Sequence, residues 1–215
     1  MTMLTPKMNH LEEIVPSSPE LDFYRVFAAC FGQPSPERFA WLNGKVCLAL
    51  LSKLGKHCVR LQATASSGHF PNYRSYESAY IALFEVGMPA PPVPLLESAN
   101  CKRQVPQEII LECVSFYDVL GLRPSGAIFP TDHLVTQLEF LATTRYLREQ
   151  SDAADQKISL RRLERDFIDR HLLNWLPVAE KKLKEANPPL FPFLLHSVTA
   201  YLRQESALLG TNEPS

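Results

Sequence analysis

Apolar residues return along this chain at intervals of three and four, the repeat of an α-helix, and no stretch from Glu20 to Leu208 alternates with period two for long enough to argue for a sheet. Leu21, Phe23, Tyr24, Val26, Phe27, Cys30 and Phe31 predict a first buried helix, closed by Gly32 and the break at Pro34 and Pro36. Ser35 or Pro36 opens a second, which Phe39, Leu42, Val46, Leu50 and Leu54 carry through about Leu54; Gly55 ends or bends it before a shorter piece from His57 to Ala65. Tyr73, Tyr76, Tyr80 and Phe84 make one aromatic face of a helix from Tyr73 to Val86. Four prolines between Met88 and Pro94 exclude helix there and predict an extended run, either a stiff loop or a ligand for a partner's aromatic groove.

Pro106 starts the next helix, with Ile109, Ile110, Cys113, Val114, Phe116, Tyr117 and Leu120 on its apolar face and Gly121 as its stop. Pro130 breaks the chain and Thr131 serves as N-cap for a helix on Leu134, Val135, Leu138, Leu141 and Leu147, which puts Asp132 and His133 in its first turn. The helix dipole there favours an acid and disfavours an imidazolium, so His133 is expected to be neutral. Three more helices follow, Gln156–Arg170, Leu172–Glu185 and Leu190–Leu208, the last two parted by Asn187-Pro188-Pro189. The pattern predicts an all-α fold, a single-domain helical bundle of about seven to ten helices. Residues 1–18 are expected to be a mobile leader, 19–210 one domain with a hinge near 121–130, and 211–215 a disordered tail.

Composition narrows the function more than the fold. With 22 basic and 23 acidic residues the net charge is −1, too little field to recruit nucleic acid or an anionic membrane. Five cysteines, an odd number without a Cys-x-x-Cys pair and mostly at apolar helix positions, suit a reducing compartment. Lys7 is the lone positive charge before Pro16, and no apolar run is long enough for a signal peptide or a membrane span, so a soluble, cytoplasmic chain is expected.

Catalysis has little support. Adjacent helical residues project about 100° apart, so Asp132 cannot orient the imidazole of His133, and no nucleophile motif or glycine-rich phosphate loop accompanies them. His57-Cys58, His69, Cys101, His133, His171 and His196 contain no pair at metal-ligand spacing, so no metal or other cofactor is expected. Gly121 as a helix stop, and His171 and Trp175 four residues apart on one face, read as structural. Tyr76, Tyr80 and Phe84 are either core or, with Phe116, Tyr117, Pro130, Asp132 and His133, a peptide-binding groove, provided the two segments pack together.

The segment Pro130-Thr131-Asp132-His133-Leu134, followed by Leu138-Glu139-Phe140, resembles the signature of the redox-enzyme maturation chaperones of the TorD/DmsD/NarJ type. Tyr117-Asp-Val-Leu-Gly121-Leu122 is similar to that family's Tyr-x-x-x-Gly-Leu helix end, Tyr76-Glu77-Ser78-Ala79-Tyr80 to its Glu-Ser-x-Tyr segment, and His171-Leu-Leu-Asn-Trp175 to its His-x-x-x-Trp segment. Phe129 departs from the Glu or Gln that many members carry before the proline. The resemblance implies a chaperone without catalytic activity that binds the N-terminal leader of an apo molybdopterin oxidoreductase catalytic subunit and assists cofactor insertion before export, with Asp132 pairing with a leader arginine. It leans towards a client of the type II dimethyl sulfoxide reductase group, and it implies monomers together with domain-swapped dimers. The alternative is a helical assembly or scaffold subunit that stays bound to its partner.

Overall fold

The computed structural model describes residues 18–44, 70–101, 105–123 and 129–211. The expected leader, the helical pieces after residue 44, most of the hinge and nearly all of the tail therefore lie outside the described residues. The described chain is helical, with one isolated antiparallel bridge between Leu96 and His133.

Helix α1, Pro19–Cys30, begins where the Ser18 hydroxyl accepts the Leu21 N–H at 3.2 Å and Pro19 stands at a position that needs no donor. Leu21, Phe23, Tyr24, Val26, Phe27 and Cys30 are all buried, so α1 is a central helix. Helix α2, Pro36–Leu42, corrects the sequence expectation: it stops at Leu42, and Asn43 caps it by donating its side-chain amide to the Phe39 carbonyl at 2.8 Å. Helix α3, Tyr73–Tyr80, runs on into a π-turn, Ile81–Glu85. The proline-rich run after it is not helical, as its composition requires, but it bends repeatedly from Met88 to Leu95 where an extended run was expected. It ends in a one-turn helix that the sequence pattern missed, α4, Glu97–Asn100.

Helix α5, Pro106–Val119, has the expected bounds, with Gly121 in the left-handed region at φ 66°. Helix α6, Leu134–Gln150, packs along α1 and against α7, Ala154–Phe167. A second π-turn, Ile168–Leu172, joins α7 to α8, Leu173–Ala186, without a break. Asn187, at φ 46°, ends α8, and α9, Phe191–Gly210, returns along it. One hydrophobic core takes side chains from α1, α3 and α5 to α9. A charged knot crosses it: Arg145 of α6 bonds Glu164 of α7 at 3.1 Å and Glu205 of α9, and Tyr24 of α1 donates to Glu164 at 3.0 Å. Among the described residues no helix is long and apolar enough to cross a membrane.

Candidate functional site

The loop before α6 is fixed from several sides, and those bonds relocate the helix start. His133 is the N-cap, its Nδ1 accepting the Val135 N–H at 3.2 Å, so neither Asp132 nor His133 lies in the first turn and Thr131 is not the cap. The physical reason is tertiary. The Thr131 carbonyl is taken by the Tyr117 hydroxyl at 2.5 Å, and the Leu134 N–H is drawn to Leu95 O at 2.9 Å. Asp132 faces inward: its carbonyl accepts the Glu97 N–H at 3.0 Å and its Oδ2 accepts the Ser98 N–H at 3.0 Å, so this acid caps α4 rather than its own helix. Asp132 is 1% exposed. The Pro130 carbonyl receives the Thr136 hydroxyl at 2.9 Å, which leaves the Pro130 ring outward and exposed. Phe129 stacks on His133 with centroids 4.2 Å apart. Burial pushes the His133 imidazole down to about 3, so the ring is neutral as expected, through desolvation more than through the dipole.

Beneath this loop lies a buried polar cluster that the sequence reading did not assemble. Glu97, Cys113, Gln137, His171 and Trp175 are each no more than 1% exposed. Gln137 donates to Glu97 Oε2 at 2.6 Å and accepts the Trp175 indole N–H at 3.1 Å. His171 Nδ1 lies 3.0 and 3.2 Å from the two Glu97 oxygens and 3.6 Å from Cys113 Sγ, and that thiol lies 3.9 Å from Glu97 Oε2. Burial, reinforced by the Glu97 charge, holds the Cys113 thiol well above its usual range. His171 Nε2 has no hydrogen-bond partner. The Glu–Ser pair that meets the Asp132 segment is thus Glu97-Ser98. Glu77 of the earlier pair accepts the Tyr73 hydroxyl at 2.6 Å. The one sequence signal for Glu97 is its place directly after the apolar pair Leu95-Leu96.

The remaining candidates divide into two sets of rings that do not touch each other. Tyr76, Tyr80 and Phe84 surround Phe191 of α9, with centroids 5.0 to 6.2 Å from it. All three are buried; Tyr80 donates to the Phe31 carbonyl at 2.9 Å, and the Tyr76 hydroxyl has no partner. Phe116 and Tyr117 pack instead on Phe140 and Phe167, and Phe116 also on His171. The described rings therefore form core, and the exposed surface of the site is the Pro130 corner with half-buried Phe129 and Thr131.

The model of the nitrate reductase delta subunit family matches residues 48–180. The chain is similar to the selenate reductase assembly chaperone protein of Thauera selenatis, 36% identical over 52% of this chain and 59% of that one. It is also similar to the perchlorate reductase assembly chaperone protein of Dechloromonas aromatica, 28% identical over 58% and 54%, and to the chlorate reductase assembly chaperone protein of Ideonella dechloratans, 34% identical over 50% and 57%. The matched region thus spans little more than half the length of these curated relatives. In fold the chain is similar to the crystal structure of a protein assigned as a redox enzyme maturation protein from Archaeoglobus fulgidus, with a TM-score of 0.51, 17% identity and coverage of 91% of this chain and 97% of that one. With the Pro-Thr-Asp-His loop, the Tyr117 helix end and the His171–Trp175 pair meeting at one place in an all-α fold, the chain belongs to the nitrate reductase delta subunit family, that of the redox-enzyme maturation chaperones whose signature its sequence resembles.

Proposed function

We propose that this protein is a cytoplasmic, non-catalytic chaperone for the assembly of a molybdopterin oxidoreductase, and that it binds the N-terminal leader of the apo catalytic subunit at the Pro130 corner before cofactor insertion and export. The observation that carries the reading is the convergence of separate signature segments beneath one exposed loop. The names of the matched relatives, assembly chaperones of three oxyanion reductases, support it. In this reading Pro130, Phe129 and Thr131 meet the leader and Asp132 holds their backbone from below. Asp132 is buried, so a direct ion pair with a leader arginine requires the loop to open around it. His133 supplies a neutral, flat backing for Phe129.

The experiment is calorimetric titration with the leader peptides of the molybdoenzymes encoded by the same organism, beside capture of clients from its cytosol. Asp132→Asn keeps an acceptor for the Ser98 N–H, whereas Asp132→Ala removes it. The positioning role is met if Asn binds within about threefold of wild type while Ala loses roughly tenfold or more. An equal loss in both variants assigns the direct ion pair to Asp132. Binding of no leader, together with capture of no oxidoreductase subunit, would overturn the chaperone reading.

A further inference from the structure

We infer that Glu97, Cys113 and His171 form a buried zinc-binding site. Three helical elements, α4, α5 and the π-turn before α8, each contribute one donor of a different kind, and the ligand atoms all lie within 4.8 Å of one another. Bond lengths of about 2.0–2.2 Å to nitrogen and oxygen and about 2.3 Å to sulfur give tetrahedral edges of about 3.4 Å for N···O, 3.5 Å for N···S and 3.6 Å for O···S. The observed edges are 3.0, 3.6 and 3.9 Å, so an ion requires side-chain movements of a few tenths of an ångström.

Both Glu97 oxygens face His171 Nδ1, so either can serve as the carboxylate donor, and with the thiolate and the imidazole it makes three protein ligands, the count of a zinc site with one open position. Gln137, oriented by Trp175, donates to Glu97 Oε2 from outside this set, as an outer partner of a ligating carboxylate does. Charge balances as well. A divalent ion with one thiolate and one carboxylate sums to zero, which removes the main cost of keeping Glu97 away from water. Binding forms Zn–S, Zn–N and Zn–O bonds and releases the Cys113 thiol proton to solvent. No partner at His171 Nε2 fixes the tautomer, so a proton on Nδ1 moves to Nε2 when Nδ1 becomes a ligand. Thiolate, imidazole and carboxylate together suit zinc among the common divalent ions. The site is independent of the chaperone reading and stands or falls without it.

The test is elemental analysis of full-length protein from zinc-supplemented cells, purified without chelator. The expected result is about one zinc per chain in wild type and in Cys101→Ser, a half-buried thiol outside the trio, and under about a fifth of that in Cys113→Ser and His171→Gln. Wild-type protein from cobalt-supplemented cells is expected to show a thiolate-to-cobalt charge-transfer band in the near ultraviolet, a readout that stands even where a variant fails to fold. Zinc-free wild type, zinc fully retained in Cys113→Ser, or cobalt protein without that band overturns the site.

Discussion

The rings gathered on Phe191 and the side chains gathered on Glu97 are buried to the same degree and are held by different forces. The first set is apolar apart from two tyrosine hydroxyls, one bonded and one unpartnered, so its stability comes from area and shape. The second threads a carboxylate, an amide, an imidazole, a thiol and an indole through the core and depends on the bonds that join them. Truncation should therefore damage the first in proportion to volume. In the second, what the cut leaves unpaired should set the damage.

The largest expected effect is on the first set. Phe191→Ala is expected to cost about 3–5 kcal/mol in urea unfolding, because it removes a ring in contact with Phe70, Tyr76, Tyr80 and Phe84. A loss below about 1.5 kcal/mol would show that the set is loosely packed and would erase the contrast. Next, in metal-free protein, Glu97→Leu is expected to cost about 2–3 kcal/mol by stranding His171 and Gln137. Adding His171→Leu should then cost less than its own single effect by about 1 kcal/mol or more. Strict additivity would mean that the polar set is no network.

Proton linkage gives an intermediate effect. His133 titrates near 6.5 in the unfolded chain and about 3 in the folded one, so the unfolded state gains a proton first as pH falls. Stability from this group is complete above 6.5 and is lost towards 3, with about 2 kcal/mol gone at pH 5. His133→Asn keeps an acceptor for the Val135 N–H and should remove this part of the pH dependence in thermal melts. The smallest effects separate the two hydroxyls: Tyr80→Phe is expected to cost about 1 kcal/mol, for the lost bond to Phe31, and Tyr76→Phe to fall within about 0.5 kcal/mol of zero.

Local chemistry was readable wherever one residue decides a local event. Pro106 starts α5, Gly121 stops it in a left-handed conformation, and the prolines after Met88 forbid helix. The start of α6 was not decidable this way. Thr131, Asp132 and His133 stand in a row as candidate caps, and the choice falls to Leu95, Ser98 and Tyr117, which are remote in sequence. The Glu97 cluster was hidden for the same reason, since its members come from α4, α5, α6, the second π-turn and α8, and ligand spacing detects only sites whose donors share an element. The tyrosine stripe left core and groove open in the sequence, because a tyrosine tip takes either water or a partner, and Tyr80 takes a backbone carbonyl inside the core.

The wide turn at Ile168–Leu172 also sets the phase of the long rod from α7 to α8. Buried Leu160, Glu164, Phe167, Ile168, His171, Trp175, Ala179 and Leu183 recur at close to four-residue steps, a longer beat than the helix itself. Over an uninterrupted α-helix such a stripe would slip by roughly 140° between Leu160 and Leu183, and one extra residue in a π-turn takes back about 100° of that. The turn works as a one-residue leap in a calendar, keeping both ends of the rod facing the same way. Deleting Asp169 or Arg170 would let a regular α-helix run through the joint with Trp175 still in register with Gln137, so the turn is the place where the rod tolerates a lost residue.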